Sequence, residues 1–158
     1  MKGRVNIEMG YDISLMEKST GETIELPVRH VMVGGTFAAD YDESTGQFTV
    51  QPTTEAWLHI TYNYSKYYYD ATDGDDRFYG ENYEGKYTNL GIRGIYGKTG
   101  VESIPMLKDM AERIQSKVAT EKMVAEDYWT ATAANAVKPI YQLLAFAELR
   151  PDGVWTGD

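Results

Sequence analysis

The segment Gly91-Ile92-Arg93-Gly94-Ile95-Tyr96-Gly97-Lys98-Thr99 ends in the Gly-Lys-Thr of a phosphate-cradling loop. Such loops work because successive backbone N–H groups and a lysine converge on a phosphate where a helix begins. The motif also needs a glycine five residues ahead of Gly97. That position is Ile92, and Gly91 is one residue out of register. No apolar strand leads into the segment, so it reads as a glycine-rich connection whose Thr99 caps the next helix. A smaller chemistry remains open. A helix start near Thr99 offers free N–H groups and the positive end of a helix dipole, and with Arg93 and Lys98 it makes a candidate anion site.

Other catalytic chemistry finds little support. His30 and His59 are the two histidines, and neither has a carboxylate or a second histidine at a recognisable ligand spacing. His59, between Leu58 and Ile60, is expected to face away from them, and both histidines read as structural or surface residues. No Gly-x-Ser-x-Gly elbow is present, so nothing supports a serine triad. Asp73, Asp75 and Asp76 suggest calcium, but Gly74 and Glu81 fall at the wrong positions for a calcium loop. The chain has no cysteine, which removes disulfides, zinc–thiolate sites and thiol nucleophiles together. No metal, cofactor or catalytic constellation is expected.

What stands out is acid and tyrosine. The net charge is −9, and residues 1–58 carry nine acids against four bases. Without a basic face the chain is a poor candidate for gripping phosphates, so direct nucleic-acid binding is disfavoured. Thirteen tyrosines lift the aromatic content to 13%. Tyrosine gives large contact area at low entropic cost. The acidic clusters Asp40, Asp42, Glu43 and Asp73, Asp75, Asp76, with Tyr67, Tyr68, Tyr69, Tyr79 and Tyr83, therefore form a candidate partner-binding set. Its natural target is a basic surface. The second candidate is a small-molecule or nucleotide-like ligand held by tyrosines beside the anion site. Homo-oligomerisation through exposed aromatics is a third possibility.

The elements that must position these residues follow from hydrophobic period and turn chemistry. Val5, Ile7 and Met9, then Tyr11, Ile13 and Leu15, alternate as strand residues. A polar turn from Glu17 to Glu22 and the resumed alternation at Thr23–Leu26 predict a β-hairpin, with Pro27 marking an edge or bulge. A second, shorter hairpin joins 36–39 to 47–50 across an exposed acidic tip. Residues 54–69 are ambiguous: Trp57, Leu58, Ile60, Tyr62 and Tyr64 favour a strand by alternation and β-rich company, while Glu55-Ala56-Trp57-Leu58 also fits a helix start; residues 70–86 read as a long loop. Ile104, Leu107, Ala111, Ile114 and Val118 share one helix face, capped by Thr99 and Glu102, with Pro105 in the first turn. A second helix follows Asp127, with Trp129, Ala133, Ala136, Val137, Ile140, Leu144 and Ala147 on one face. Pro139 is expected to kink or break it near 135–138. Pro151-Asp152-Gly153 stops it, and Val154 and Trp155 fold back. The expectation is one α+β domain over 1–158, in which N-terminal antiparallel β-hairpins form a sheet packed against two C-terminal helices. No signal peptide or membrane-spanning run is apparent, and a cytoplasmic setting is expected.

Gly91–Gly100, Ile104-Pro105, and the closing run from Asp127-Tyr128-Trp129 through Leu149-Arg150-Pro151-Asp152-Gly153-Val154-Trp155 resemble small acidic proteins of phages, prophages and other mobile elements. Ile60-Thr61-Tyr62-Asn63-Tyr64-Ser65 resembles the same pattern. The resemblance covers roughly the second two-thirds of the chain and carries no assigned activity or site residues. It implies a mobile-element setting. The partner class expected from acidity, tyrosines and setting together is a host protein, such as a basic nucleic-acid-binding defence factor, which this chain would inhibit by occupying its surface.

Overall fold

A computed structural model describes residues 10–30, 39–50, 52–122 and 130–158. Its centre is a three-stranded antiparallel sheet. Strand β1 (Gly10–Met16) lies in the middle, and its first partner, β6 (Trp57–Thr61), sets Tyr11 opposite Ile60 and Ile13 opposite Leu58. On the other edge β9 (Val154–Gly157) sets Leu15 opposite Trp155. Alternation does its usual work here. Tyr11, Ile13, Leu15, Leu58, Ile60 and Trp155 are all 2% exposed or less and form the sheet's inner face. The Val5–Met9 alternation lies outside the described residues.

The first hairpin closes but does not continue. The Glu17 and Gly21 amides bond the Glu22 and Glu17 carbonyls, Gly21 takes φ +72°, and Met16 bridges Thr23. Beyond that point Ala56 inserts between the two arms. It accepts from the Leu15 N–H and donates to the Ile24 carbonyl, both at 2.9 Å. The second arm, β2 (Glu25–His30), turns away to pair with β5 (Thr53–Glu55) through an irregular register. Pro27 sits within that irregularity, where its missing N–H breaks no regular ladder bond. A separate hairpin joins β3 (Ala39–Asp42) to β4 (Gln47–Val50), and its tip, 43–46, is exposed.

The expected strand 54–69 is corrected. It stops at Thr61, whose hydroxyl accepts the Asn63 N–H and starts a 3₁₀ turn, Tyr62–Tyr64. Helix α1 (Ser65–Thr72) follows. The buried residues Tyr64, Tyr68, Ala71 and Thr72 recur at four, seven and eight, a helical stripe and not a strand's alternation. The expected loop 70–86 is likewise structured. After α1 comes a 3₁₀ turn, Asp76–Phe78, and then a hairpin of β7 (Tyr79–Glu81) and β8 (Tyr87–Asn89).

Two longer helices, α2 (Gly100–Val118) and α3 (Ala133–Leu149), pack on each other and on the sheet. Trp155 joins the layers, donating Nε1–H to the buried Ser103 Oγ of α2 at 2.7 Å. Pro105 is the sixth residue of α2, past the first turn, so it deprives the Val101 carbonyl of a donor. Val101 is exposed, and water can replace that bond. α3 runs unbroken through Pro139, contrary to the expected break. Its N-cap is Thr132, so Pro139 lies in the second turn and costs one bond, that to the Asn135 carbonyl. The neighbouring Ala136 carbonyl accepts the Tyr68 hydroxyl at 2.8 Å. Trp129 lies outside the described residues. Among the described residues, no helix is long and apolar enough to cross a membrane.

Candidate functional site

The helix start at Thr99 has no donors left for an anion. The Thr99 N–H bonds the Glu102 carboxylate at 2.9 Å, and the Glu102 N–H returns to Thr99 Oγ1 at 3.2 Å, completing a capping box. Gly100 and Val101 donate to the carbonyls of Gly153 and Pro151 at 2.8 and 2.9 Å. Lys98 and Trp155 join the same strap, the Trp155 N–H donating to the Lys98 carbonyl at 3.0 Å. The Thr99 N–H and hydroxyl hold the Glu102 carboxyl below its usual range. An open cleft of about 440 Å³ beside Thr99 is also lined by Glu17 and Glu102. Lys18 lines it too, and Glu17 is paired with Arg150 at 2.9 Å. Arg93, Lys98 and Thr99 are thus not gathered at this helix start: its backbone donors are spent, and Arg93 belongs to a different neighbourhood.

The acidic and aromatic set divides. Tyr68 is wholly buried and offers no contact area. Burial pushes its phenol well above the usual tyrosine range. Tyr67 is half-buried, its hydroxyl donating to Glu121 Oε2 at 2.5 Å with the Ala131 carbonyl 3.1 Å away. Burial and then Glu121 push its phenol up to about 12. Glu121 also accepts the Ala133 N–H at 2.7 Å, so this cluster ties α1 to the ends of the α2–α3 connection. Asp75 is committed as well. Arg77 bonds both its carboxylate oxygens at 2.9 and 2.6 Å, and Arg113 bonds Oδ2 at 2.9 Å. Those partners, Arg77 foremost, hold Asp75 well below the ordinary carboxylate range. Asp75 thus clamps the α1–β7 turn to α2. Among the described residues no group of three or more acids or histidines is placed to hold a metal ion.

Tyr69, Asp73, Asp76, Tyr79 and Tyr83 remain, and they share one region. Asn89 of β8 ties the hairpin to α1, donating Nδ2–H to the Tyr69 carbonyl and accepting the Thr72 hydroxyl. Asp73 and Asp76 are exposed between them. The hairpin tip is rigidly built. Asn82 Oδ1 accepts the N–H groups of Glu84 and Lys86 at 2.9 and 3.0 Å, and Gly85 takes φ +75°. This tip holds Tyr83 95% exposed and Tyr87 69% exposed, with Glu81 and Glu84 also exposed. Tyr79 and Tyr87 lie with ring centroids 6.0 Å apart. Sequence reasoning missed Tyr87, Glu81 and Glu84. The signal was the Asn82–Gly85 turn between two short β-rich runs. The side chains of Asp40 and Asp42 lie outside the described ones, and Glu43 is at the exposed tip of the other hairpin.

Arg93 sits among tyrosines. Its guanidinium carbon is 4.7 Å from the Tyr11 ring centroid and 5.7 Å from that of Tyr62. Nη2 donates to the Tyr62 hydroxyl at 3.2 Å, and Nε donates to an Asp158 main-chain oxygen at 2.8 Å. Tyr96 donates to that same oxygen at 3.4 Å. Tyr69 packs over Gly91, where a Cβ would meet its ring at 3.0 Å; φ there is +60°. The local 3₁₀ turn Gly91–Ile95 thus carries Arg93 to the ring cluster.

Each histidine is bonded to a neighbouring strand. His59 is 6% exposed, and its Nδ1–H donates to Asp12, its cross-strand neighbour, at 2.9 Å. Spacing along the chain could not reveal that pair. Ser65 and Ser103 bond Tyr11 and Trp155 instead, so neither completes a triad with it. His30 donates Nε2–H to the Glu55 carbonyl at 2.7 Å, and its ring lies 4.9 Å from that of Phe146, tilted by 55°. The chain matches no protein-family model, no curated protein and no solved structure.

Proposed function

We propose that this chain is a non-enzymatic binding protein that blocks a basic surface on a partner protein, using the β7–β8 hairpin and the acidic turn before it. The observation that carries this reading is the display of Tyr83 and Tyr87 on a hairpin whose turn is fixed by Asn82. An exposed aromatic costs hydration in the free protein and returns that cost when a partner covers it. A preset backbone limits the entropy lost on docking. Asp73, Asp76, Glu81 and Glu84 around it favour a cationic partner. In the mobile-element setting that the sequence resemblance implies, that partner is a host protein such as a basic nuclease of a defence system.

The test is affinity capture from host lysate against a charge-matched control, followed by affinities for hairpin variants. Tyr83→Ala and Tyr87→Ala should each cost about 2 kcal/mol, roughly 30-fold in Kd. Asp73→Lys with Asp76→Lys should slow association and flatten its salt dependence. Unchanged affinity in both sets would remove the hairpin from the mechanism.

A further inference from the structure

Arg93 differs from Arg77, Arg113 and Arg150, each of which holds at least one side-chain carboxylate within 2.9 Å. Arg93 holds none. Its surroundings are aromatic: the rings of Tyr11 and Tyr62 flank it, Tyr96 shares its Asp158 acceptor, and Tyr69 packs over Gly91 of the same 3₁₀ turn. A guanidinium has five N–H donors. Here one meets a main-chain oxygen and one meets Tyr62, which leaves Nη1 and one Nη2 hydrogen without an acceptor among the described residues. The Tyr62 hydroxyl accepts from Arg93 and donates to no described residue, and the Tyr69 hydroxyl has no protein partner among them. Tyr69 is 38% exposed, so the cluster is reachable from solvent. A half-buried cation in a strongly acidic protein, with spare donors, aromatic walls and no side-chain carboxylate bonded to it, is complementary to an oxyanion on a flat apolar body.

We propose that Arg93, with the hydroxyls of Tyr62 and Tyr69, forms a binding site for a carboxylate or phosphoryl group carried on an aromatic ring. The site is separate from the β7–β8 hairpin tip and does not depend on its role. Arg93 would form the two-pronged contact through Nη1 and Nη2. Tyr62 and Tyr69 would each donate one O–H. The rings of Tyr11 and Tyr62 already flank the guanidinium and preset its orientation.

The full chain is titrated with benzoate and, separately, with phenyl phosphate, following side-chain NMR signals of Arg93 and the tyrosines. Saturable shifts of Arg93 and Tyr69 are expected with at least one probe, and the tighter probe identifies the anion. Arg93→Gln should weaken binding at least about 10-fold, the loss of a charged hydrogen-bond partner. Tyr69→Phe removes a hydroxyl with no protein partner, so it should leave the fold intact and weaken binding about 5-fold. Absence of saturable shifts with both probes overturns the proposal. So does binding that Tyr69→Phe and Arg93→Gln leave at wild-type strength.

Discussion

Truncation of Tyr68 separates burial from display. Its side chain is fully enclosed, its hydroxyl reaches the Ala136 carbonyl at 2.8 Å, and its ring lies 6.2 and 6.3 Å from those of Tyr11 and Tyr64. Removing a buried aromatic down to Cβ costs about 3–5 kcal/mol, the spread reflecting how far the cavity can collapse. The hydroxyl alone accounts for about 1 kcal/mol, which Tyr68→Phe isolates. In a chain of this size each kcal/mol moves Tm by about 2–4 °C, so Tyr68→Ala should lower Tm by roughly 6–20 °C. Thermal unfolding followed by circular dichroism reads this directly, with Tyr83→Ala as the companion. That residue is 95% exposed, and its loss should stay within about 0.5 kcal/mol. The two substitutions are the same chemical change on opposite sides of the surface. A Tyr68→Ala protein that melts with wild type would refute the helical placement of the tyrosine run and return Tyr68 to the surface.

Four further outcomes follow from the described contacts. Asp75→Asn should cost about 2 kcal/mol at neutral pH by stripping Arg77 and Arg113 of their shared acceptor. Because the Asp75 carboxyl is held below its unfolded value, this advantage of the wild type is present above the ordinary carboxylate range and disappears only well below it; paired urea melts down the acid range would show the curves converging there. Tyr67 has the opposite sign: its phenol is raised from 10.0 to about 12, so its contribution is intact below pH 10 and lost by about pH 12. Tyr67→Phe should therefore show a shallower alkaline loss of stability than wild type in denaturant melts across that window. Thr99→Ala should lower stability by about 1 kcal/mol through the lost cap, measured by urea unfolding, and Lys98→Ala should leave benzoate and phenyl phosphate affinities at their wild-type values.

The sequence was most readable where one local signal had no competitor. Tyr11, Ile13 and Leu15 alternate between polar neighbours and face the core; Thr99 and Glu102 stand three apart and cap each other. The Pro151-Asp152-Gly153 stop correctly foretold the return of Trp155. Residues 62–69 were harder because tyrosine suits strand and helix alike, and Tyr62 with Tyr64 imitates alternation just before the stripe of Tyr64, Tyr68 and Ala71 takes over. The candidate residues divided between surface and interior for a different reason. Whether an aspartate is a displayed charge or an internal clamp depends on what lies opposite, and Arg113 meets Asp75 across 38 residues of chain. The same holds for Asp12 and His59, joined only by strand register. The α2 start looked free because its acceptors, Pro151 and Gly153, arrive from the far end of the chain.

The placement of β1 between β6 and β9 has a kinetic consequence. Leu15 waits for Trp155, and the Asp12 N–H for the Asp158 carboxylate, a separation of 146 residues. On a ribosome, the central strand emerges early and stays half-paired through synthesis of everything up to β9. One backbone edge and the inner face carrying Tyr11, Ile13 and Leu15 are open during that interval. Closing so long a loop before its contacts repay the lost entropy makes folding slow for a chain of this length. The unprotected edge is then a site for chaperone capture or mispairing between nascent copies.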